Sequence, residues 1–228
     1  MINLFQPSVG EEELQALSSV FSSQWIGKGE KVKQFEAEFA SCLHAKDGHF
    51  MSTNACTEAI FLAPTLFDIG PGDEVIVPTI SFIAVGNAIK SSGADIVFCD
   101  VDPRTLNICP SDFESKITSK TKAAFITHYG GYPCEMNAIT QICKKHHLLL
   151  FEDAACSPFS FFDGKACGTF GDMGMWSFDA MKIITTGDGG MIHLASEEKL
   201  QQARSLLYLG VSSALNSGSR VAVTTRVR

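Results

Sequence analysis

Short apolar blocks alternate with helix-like patterns along most of this chain, and that alternation constrains its fold more than any other feature. The blocks predict strands at 74–77, 95–99, 122–127, 148–151, 173–178 and 190–194, and the patterns between and around them predict helices at 11–21, 32–43, 57–67, 82–90, 135–146 and 196–207. The strand blocks are mostly apolar and do not alternate with polar residues, as in strands that are covered on both faces. We therefore predict an α/β domain of three layers, α/β/α, with a mostly parallel central sheet.

Composition excludes several classes of protein. The 228 residues are 45% hydrophobic and 19% charged, which is enough apolar material for one sizeable domain. A net charge of −7 argues against partners such as nucleic acid or an anionic membrane surface. No apolar run approaches the ~20 residues of a transmembrane helix. Residues 1–7 do not resemble a signal peptide, and the eight cysteines are scattered without a CxxC pair, so we expect a cytoplasmic protein.

The last stretch of the chain differs from the rest. Residues 1–209 carry the alternating pattern, and we predict that they form one domain. Residues 210–228 have no sustained periodicity, and we predict an irregular tail there. This tail is either an ordinary unpaired terminus or the point at which the chain stops before a second domain.

The familiar catalytic motifs are missing. The sequence has no GxGxxG after a strand, no GxxxxGK[ST], no GxSxG and no HExxH. His146 and His147 are adjacent, so their side chains point in different directions and make a poor metal pair. We therefore predict no metal site.

Two chemically useful residues follow predicted strands. Asp153 comes directly after the block at 148–151, where open α/β sheets bind ligands, although an aspartate there can equally cap a loop. Lys182 has the apolar neighbours Met181, Ile183 and Ile184, which suggest that it is drawn toward the interior. A desolvated lysine becomes a usable amine nucleophile; the alternative is a surface lysine with its stem on apolar residues.

Two further features could complete a site. Residues 54–57 lead into a helix, so their amides and the Thr57 hydroxyl could hold a phosphate or could simply cap the helix. Phe82, after the strand at 74–77, could offer a ring face or could be an ordinary core residue. An anion site, an aromatic face, an aspartate and a lysine together match the requirements of pyridoxal phosphate.

Several segments, in order and at consistent spacing, resemble the DegT/DnrJ/EryC1/StrS family of sugar-nucleotide aminotransferases. They are 25–27 (WIG), 32–36 (VKQFE), 54–59 (NACTEA), 70–78 (GPGDEVIVP), 98–102 (FCDVD), 152–155 (EDAA), 170–172 (FGD), 177–182 (SFDAMK) and 187–190 (GDGG). The resemblance implies the large domain of pyridoxal-phosphate transferases of fold type I. Family members are longer than this chain and end in a smaller domain, which we expect to be missing or truncated here after residue 209.

The resemblance also assigns residues to the cofactor site. It implies that Lys182 forms a Schiff base with the cofactor and later moves the proton, and that Asp153 pairs with the pyridine nitrogen. The remaining cofactor-binding positions are Phe82 against the ring, Cys56, Thr57 and Ser177 at the phosphate, and Cys156 beside the ring, where the family often has glutamine or histidine.

The implied reaction moves an amino group, probably glutamate's, onto a keto-deoxysugar that is linked to a nucleoside diphosphate, in amino-sugar or polysaccharide biosynthesis. The family also implies a homodimer. Two alternatives stay open: a truncated, catalytically silent protein that binds the cofactor or another subunit, and another pyridoxal enzyme such as a sugar dehydratase. Lys182 argues against the dehydratase branch, which replaces this lysine with histidine.

Overall fold

The central feature of the computed structural model, which describes residues 6–46 and 48–208, is a seven-stranded sheet. Its strands, with a separate two-stranded hairpin (β6 and β7), are β1 (Phe50–Thr53), β2 (Glu74–Pro78), β3 (Asp95–Cys99), β4 (Thr121–Thr127), β5 (Leu149–Asp153), β6 (Phe161–Phe162), β7 (Lys165–Ala166), β8 (Met173–Ser177) and β9 (Gly190–Leu194). The sheet order is β1-β9-β8-β5-β4-β2-β3, and every neighbouring pair from β8 to β3 is parallel. Only β9 runs antiparallel to its neighbours, β8 and β1.

Seven α-helices accompany the sheet in the described part of the chain. They are α1 (Glu11–Ser22), α2 (Glu30–Cys42), α3 (Cys56–Leu66), α4 (Ile83–Ser92), α5 (Pro110–Ser115), α6 (Met136–His146) and α7 (Glu197–Leu207). None of these helices has the length and apolar character needed to cross a bilayer.

Both faces of the sheet are covered by apolar side chains. In β2, Val75 and Val77 join the core formed with α3, α4 and α7, while Ile76 between them joins the core formed with α5 and α6. Successive strand residues point to opposite faces, so two buried faces need apolar residues at every position. The predicted three-layer α/β/α fold is confirmed.

A third core places α2 over the antiparallel end of the sheet. Phe39 of α2 meets Trp176 and Phe178 edge-on, at centroid distances of 5.4 and 5.5 Å. Trp176 and Phe178 flank Ser177, so this aromatic packing fixes the strand end that leads to Lys182.

The sequence pattern located most elements and missed those with little local signal. All six predicted strands and all six predicted helices are present, with bounds shifted by a few residues. The helix α5 and the β6–β7 hairpin were not predicted because they have only six residues and two residues per strand, and β1 was missed because half of its four residues are polar. Residues 209–228 lie outside the described part, so the predicted domain boundary and tail remain predictions.

A close backbone approach at Gly174 yields a test of the packing. A Cβ atom on Gly174 would overlap the carbonyl oxygen of Gly168, whereas one on Gly86 would lie an ordinary 3.6 Å from Cδ1 of Ile96. We expect Gly174→Ala to lower the free energy of unfolding in urea by about 1–3 kcal/mol or more. Gly86→Ala, in the interior of α4, should raise it by up to about 1 kcal/mol. Equal effects of the two substitutions would contradict this packing.

Candidate active site

The candidate site lies at the edge of the sheet where the parallel strands end. Asp153 is the last residue of β5 and Ser177 the last of β8, while Phe82 follows β2. The reversed direction of β9 brings its first residue, Gly190, to the same edge, opposite Ser177. This edge is where open α/β sheets bind ligands.

The start of α3 offers backbone donors to an anion. Its N-cap residue is Ala55, whose side chain provides no capping oxygen, so the first-turn amides from Cys56 onward receive no side-chain cap. A Cβ on Gly190 would lie 2.7 Å from the Cys56 nitrogen, so only glycine allows β9 to approach this closely. Ser177 pairs with Gly190, and directly paired residues of antiparallel strands have their side chains on one face of the sheet, so Ser177 is on the face that packs against this helix start. Uncapped amides beside a hydroxyl suit a phosphate.

Asp153 supplies a buried carboxylate. Its residue surface is 3% exposed, and one carboxylate oxygen accepts a 3.0 Å hydrogen bond from the Ala155 amide. Burial raises the pKa of Asp153, and the Ala155 amide, Lys182 and His128 partly offset that rise. A buried carboxylate is costly unless a cation or donor meets it, so this position suits a cationic ring nitrogen.

Lys182 lies on a turn after β8, and its Nζ is 3.4 Å from Sγ of Cys156. Lys182 is half-buried, and of the three apolar neighbours that were expected to draw it inward only Ile184 packs against the core. Met181 and Ile183 are 60% and 77% exposed and do not contribute to its position. The lysine is also placed by a turn around Asp179, whose carbonyl accepts from the Lys182 amide and whose carboxylate accepts from the Met181 amide, each at 2.9 Å.

The structure brings most of the predicted site residues together. Burial, followed by the charge of Asp153, raises the pKa of the Cys56 thiol, and Lys182 offsets part of this rise. Cys56, Asp153, Cys156 and Lys182 therefore share one electrostatic environment.

Thr57 and Phe82 lie at the same edge of the sheet but are exposed. Among the described contacts, neither touches the Asp153–Lys182 group. Phe82 is 59% exposed, which rules out the alternative that it is a core residue.

Sequence reasoning missed one hydroxyl at this site. Thr127, at the end of β4, pairs in register with Asp153, and its Oγ1 is buried without a hydrogen-bond partner among the described residues. A buried polar atom without a partner is unusual and fits a site that a ligand completes. No sequence signal marked it, since threonine is ordinary in a strand.

These residues fit pyridoxal phosphate by the chemistry of their donors. The uncapped α3 start with Ser177 suits its phosphate, buried Asp153 suits its ring nitrogen, and the amine of Lys182 suits its aldehyde. The arrangement of carboxylate, amine and anion site on one sheet edge is one that this cofactor requires.

Comparison with known proteins agrees with this geometry. The model of the DegT/DnrJ/EryC1/StrS aminotransferase family matches residues 7–226. The chain belongs to this family. The dTDP-4-dehydro-2,3,6-trideoxy-D-glucose 4-aminotransferase of Saccharopolyspora spinosa is 52% identical over 211 residues, which cover 92% of this chain and 55% of that protein.

Solved structures of the family superpose on the chain. The aminotransferase TlmJ from Streptoalloteichus hindustanus is 47% identical with a TM-score of 0.94, over all of this chain and 61% of that one. The PLP form of the putative sugar aminotransferase Spr1654 from Streptococcus pneumoniae is 25% identical with a TM-score of 0.89, over 98% of this chain and 61% of that one. The chain spans about half the length of the curated relatives that it matches.

The raised pKa of Asp153 predicts how the cofactor-free protein responds to pH. A carboxyl group with a raised folded-state pKa stabilises the fold below its unfolded-state pKa, and that stability is lost as the pH rises through the folded-state value. We therefore expect cofactor-free Asp153→Asn, which keeps an oxygen for the Ala155 amide, to melt above the wild type at neutral pH. The two midpoints should converge in acid.

The matched control is the exposed Asp100, whose replacement by asparagine should change the melting midpoint at neutral pH little, as surface substitutions usually do. A lower midpoint for Asp153→Asn than for the wild type at neutral pH would contradict the assignment of a costly buried charge.

Proposed function

We propose that this protein is a pyridoxal-phosphate-dependent aminotransferase that acts on a keto sugar linked to a nucleoside diphosphate. The proposal rests on one observation. The amine of Lys182 lies at the same edge of the sheet as the buried Asp153 carboxylate and the uncapped start of α3. The family of the chain supports this choice among pyridoxal enzymes.

Different residues of the chain bind different parts of the cofactor. The amides at the start of α3, with Thr57 and Ser177, hold the phosphate, and Phe82 covers the ring. Asp153 holds a proton on the ring nitrogen, because its buried carboxylate is stabilised by that positive charge. When bound, pyridoxal phosphate accepts the electron pair that remains after a proton leaves the substrate carbon.

Lys182 performs the proton transfer. Its amine would hold the cofactor covalently and, once free, would serve as the base that takes a proton from the substrate carbon and as the acid that returns it. Cys156, 3.4 Å from this amine, stands beside the ring but offers a weaker hydrogen bond than an amide or imidazole would.

The proposed substrate class rests on the relatives. The Saccharopolyspora spinosa protein is named as a 4-aminotransferase of a dTDP-linked dehydro sugar, which supports a nucleotide-linked keto sugar as acceptor. We propose glutamate as the amino donor and a homodimer as the assembly, both implied by the family resemblance. The eight unpaired cysteines support a cytoplasmic location.

The cofactor assignment is tested by labelling the lysine. Purified protein with added pyridoxal phosphate should show visible absorbance that borohydride converts into a stable attachment at Lys182, which peptide mass spectrometry locates. Lys182→Ala and Lys182→Arg should both lose the attachment, the second while keeping the positive charge. Exposed Lys120→Ala serves as the matched control and should behave as the wild type. Attachment at another lysine, or none in folded wild type, would refute the cofactor assignment.

The reaction assignment is tested by following the amino group. With glutamate and a nucleotide-linked 4-keto sugar, we expect 2-oxoglutarate and an amino sugar in equal amounts. When a free keto acid replaces the keto sugar, no amino sugar should form, and 2-oxoglutarate should not exceed one equivalent per active site, which is the yield of a single half-reaction. Cofactor attachment without turnover would instead favour the catalytically silent alternative, and release of the sugar's hydroxyl as water would favour the dehydratase.

A further inference from the structure

A second buried carboxylate lies next to Asp153 and points to the other face of the sheet. Glu152 has no exposed surface, and every hydrogen-bond partner of its carboxylate is a donor. Its Oε1 accepts from the amides of Phe170 and Gly171, each at 2.7 Å, and its Oε2 accepts from the Gly168 amide at 2.8 Å and faces Nε2 of His128 at 3.0 Å. Four donors match the acceptor capacity of an ionised carboxylate.

The histidine in this cluster is held on both ring nitrogens. The backbone amide of Cys134 donates to Nδ1 of His128 at 3.1 Å, so Nδ1 acts as an acceptor. The ring proton therefore lies on Nε2, and His128 donates it to Glu152. His128 is fully buried and has no role in the reaction proposed above.

The main chain of His128 and the side chain of Glu152 together connect three strand ends that carry the candidate site. The His128 amide donates to the Asp153 carbonyl at 3.0 Å, and the Ser157 hydroxyl donates to the His128 carbonyl at 3.3 Å, which ties β4 to β5 and to the loop that carries Cys156. Glu152 meanwhile holds the segment that leads into β8, the strand that ends at Ser177.

We propose that His128 and Glu152 are positioning residues. They fix the distance between Asp153 and the strand end that leads to Ser177 and Lys182, so that the cofactor can contact Asp153 with its ring nitrogen and the other two residues with its phosphate and aldehyde. This inference rests on the proposed function. A buried network in which every donor and acceptor is satisfied fixes one geometry, whereas a partly satisfied one allows several. A ligand bound at two ends loses affinity when the two ends shift relative to one another.

Two substitutions of His128 separate the contacts of the ring. Glutamine places its amide where Nε2 lies and can still donate to Glu152. Asparagine places its amide where Nδ1 lies, so it can still accept from the Cys134 amide but cannot reach Glu152. The pair therefore isolates the bond to Glu152 while a polar side chain is kept at the position.

The experiment measures the dissociation constant of pyridoxal phosphate and the absorbance maximum of the bound cofactor in each variant. We expect His128→Gln to bind within about threefold of the wild type. His128→Asn should bind about tenfold more weakly, as expected for a lost hydrogen bond to a charged group. Its absorbance maximum should shift, because Asp153 no longer meets the ring nitrogen as closely. Circular dichroism should show wild-type helix content in both variants.

His146→Asn is the control, since His146 ends α6, contacts Glu114 and touches none of the described site residues. Wild-type affinity and absorbance in His128→Asn, or equal losses in both His128 variants, would overturn the proposal. Unfolding of His128→Asn would also overturn it, because the pair would then serve folding alone. A wild type that binds no pyridoxal phosphate would instead refute the proposed function, so the two failures are distinguishable.

Discussion

A carboxylate buried inside a sheet costs several kcal/mol unless donors meet its oxygens, and Glu152 meets that condition with three backbone amides and one imidazole. Those donors come from the end of β4 and from the segment before β8. The charge of Glu152 can therefore stay buried only while these two segments keep their donors within hydrogen-bond distance of the carboxylate. Asp153 is the next residue along β5, so its position at the site depends on the same arrangement.

The direction of one strand completes the anion site. Because β9 is antiparallel to its neighbours, its first residue and not its last reaches the edge where the other strands end. Gly190 then packs against the Cys56 nitrogen, where any side chain would collide, and it pairs with Ser177. The reversal of β9 thus brings a hydroxyl, a glycine and a helix start together, and a wholly parallel sheet would separate them.

Local patterns in the sequence were sufficient for the layers and for part of the site. The apolar blocks predicted the strands because two buried faces require apolar residues throughout, and Asp153 and Lys182 were found because they follow such blocks. The antiparallel pairing of β9 and the contacts of Thr127 and Glu152 join residues far apart in sequence, so no local pattern contains them. The position of Lys182 was explained only in part, since Ile184 alone of its three apolar neighbours packs against the core and the turn around Asp179 also fixes the lysine.

The most direct measurement is a crystal structure of the protein grown with pyridoxal phosphate. We expect the phosphate on the first-turn amides of α3 beside Ser177, the ring nitrogen within hydrogen-bond distance of Asp153, and Lys182 joined to the cofactor. Glu152 should keep its four donors. A cofactor bound elsewhere, or one whose ring nitrogen faces away from Asp153, would contradict the account.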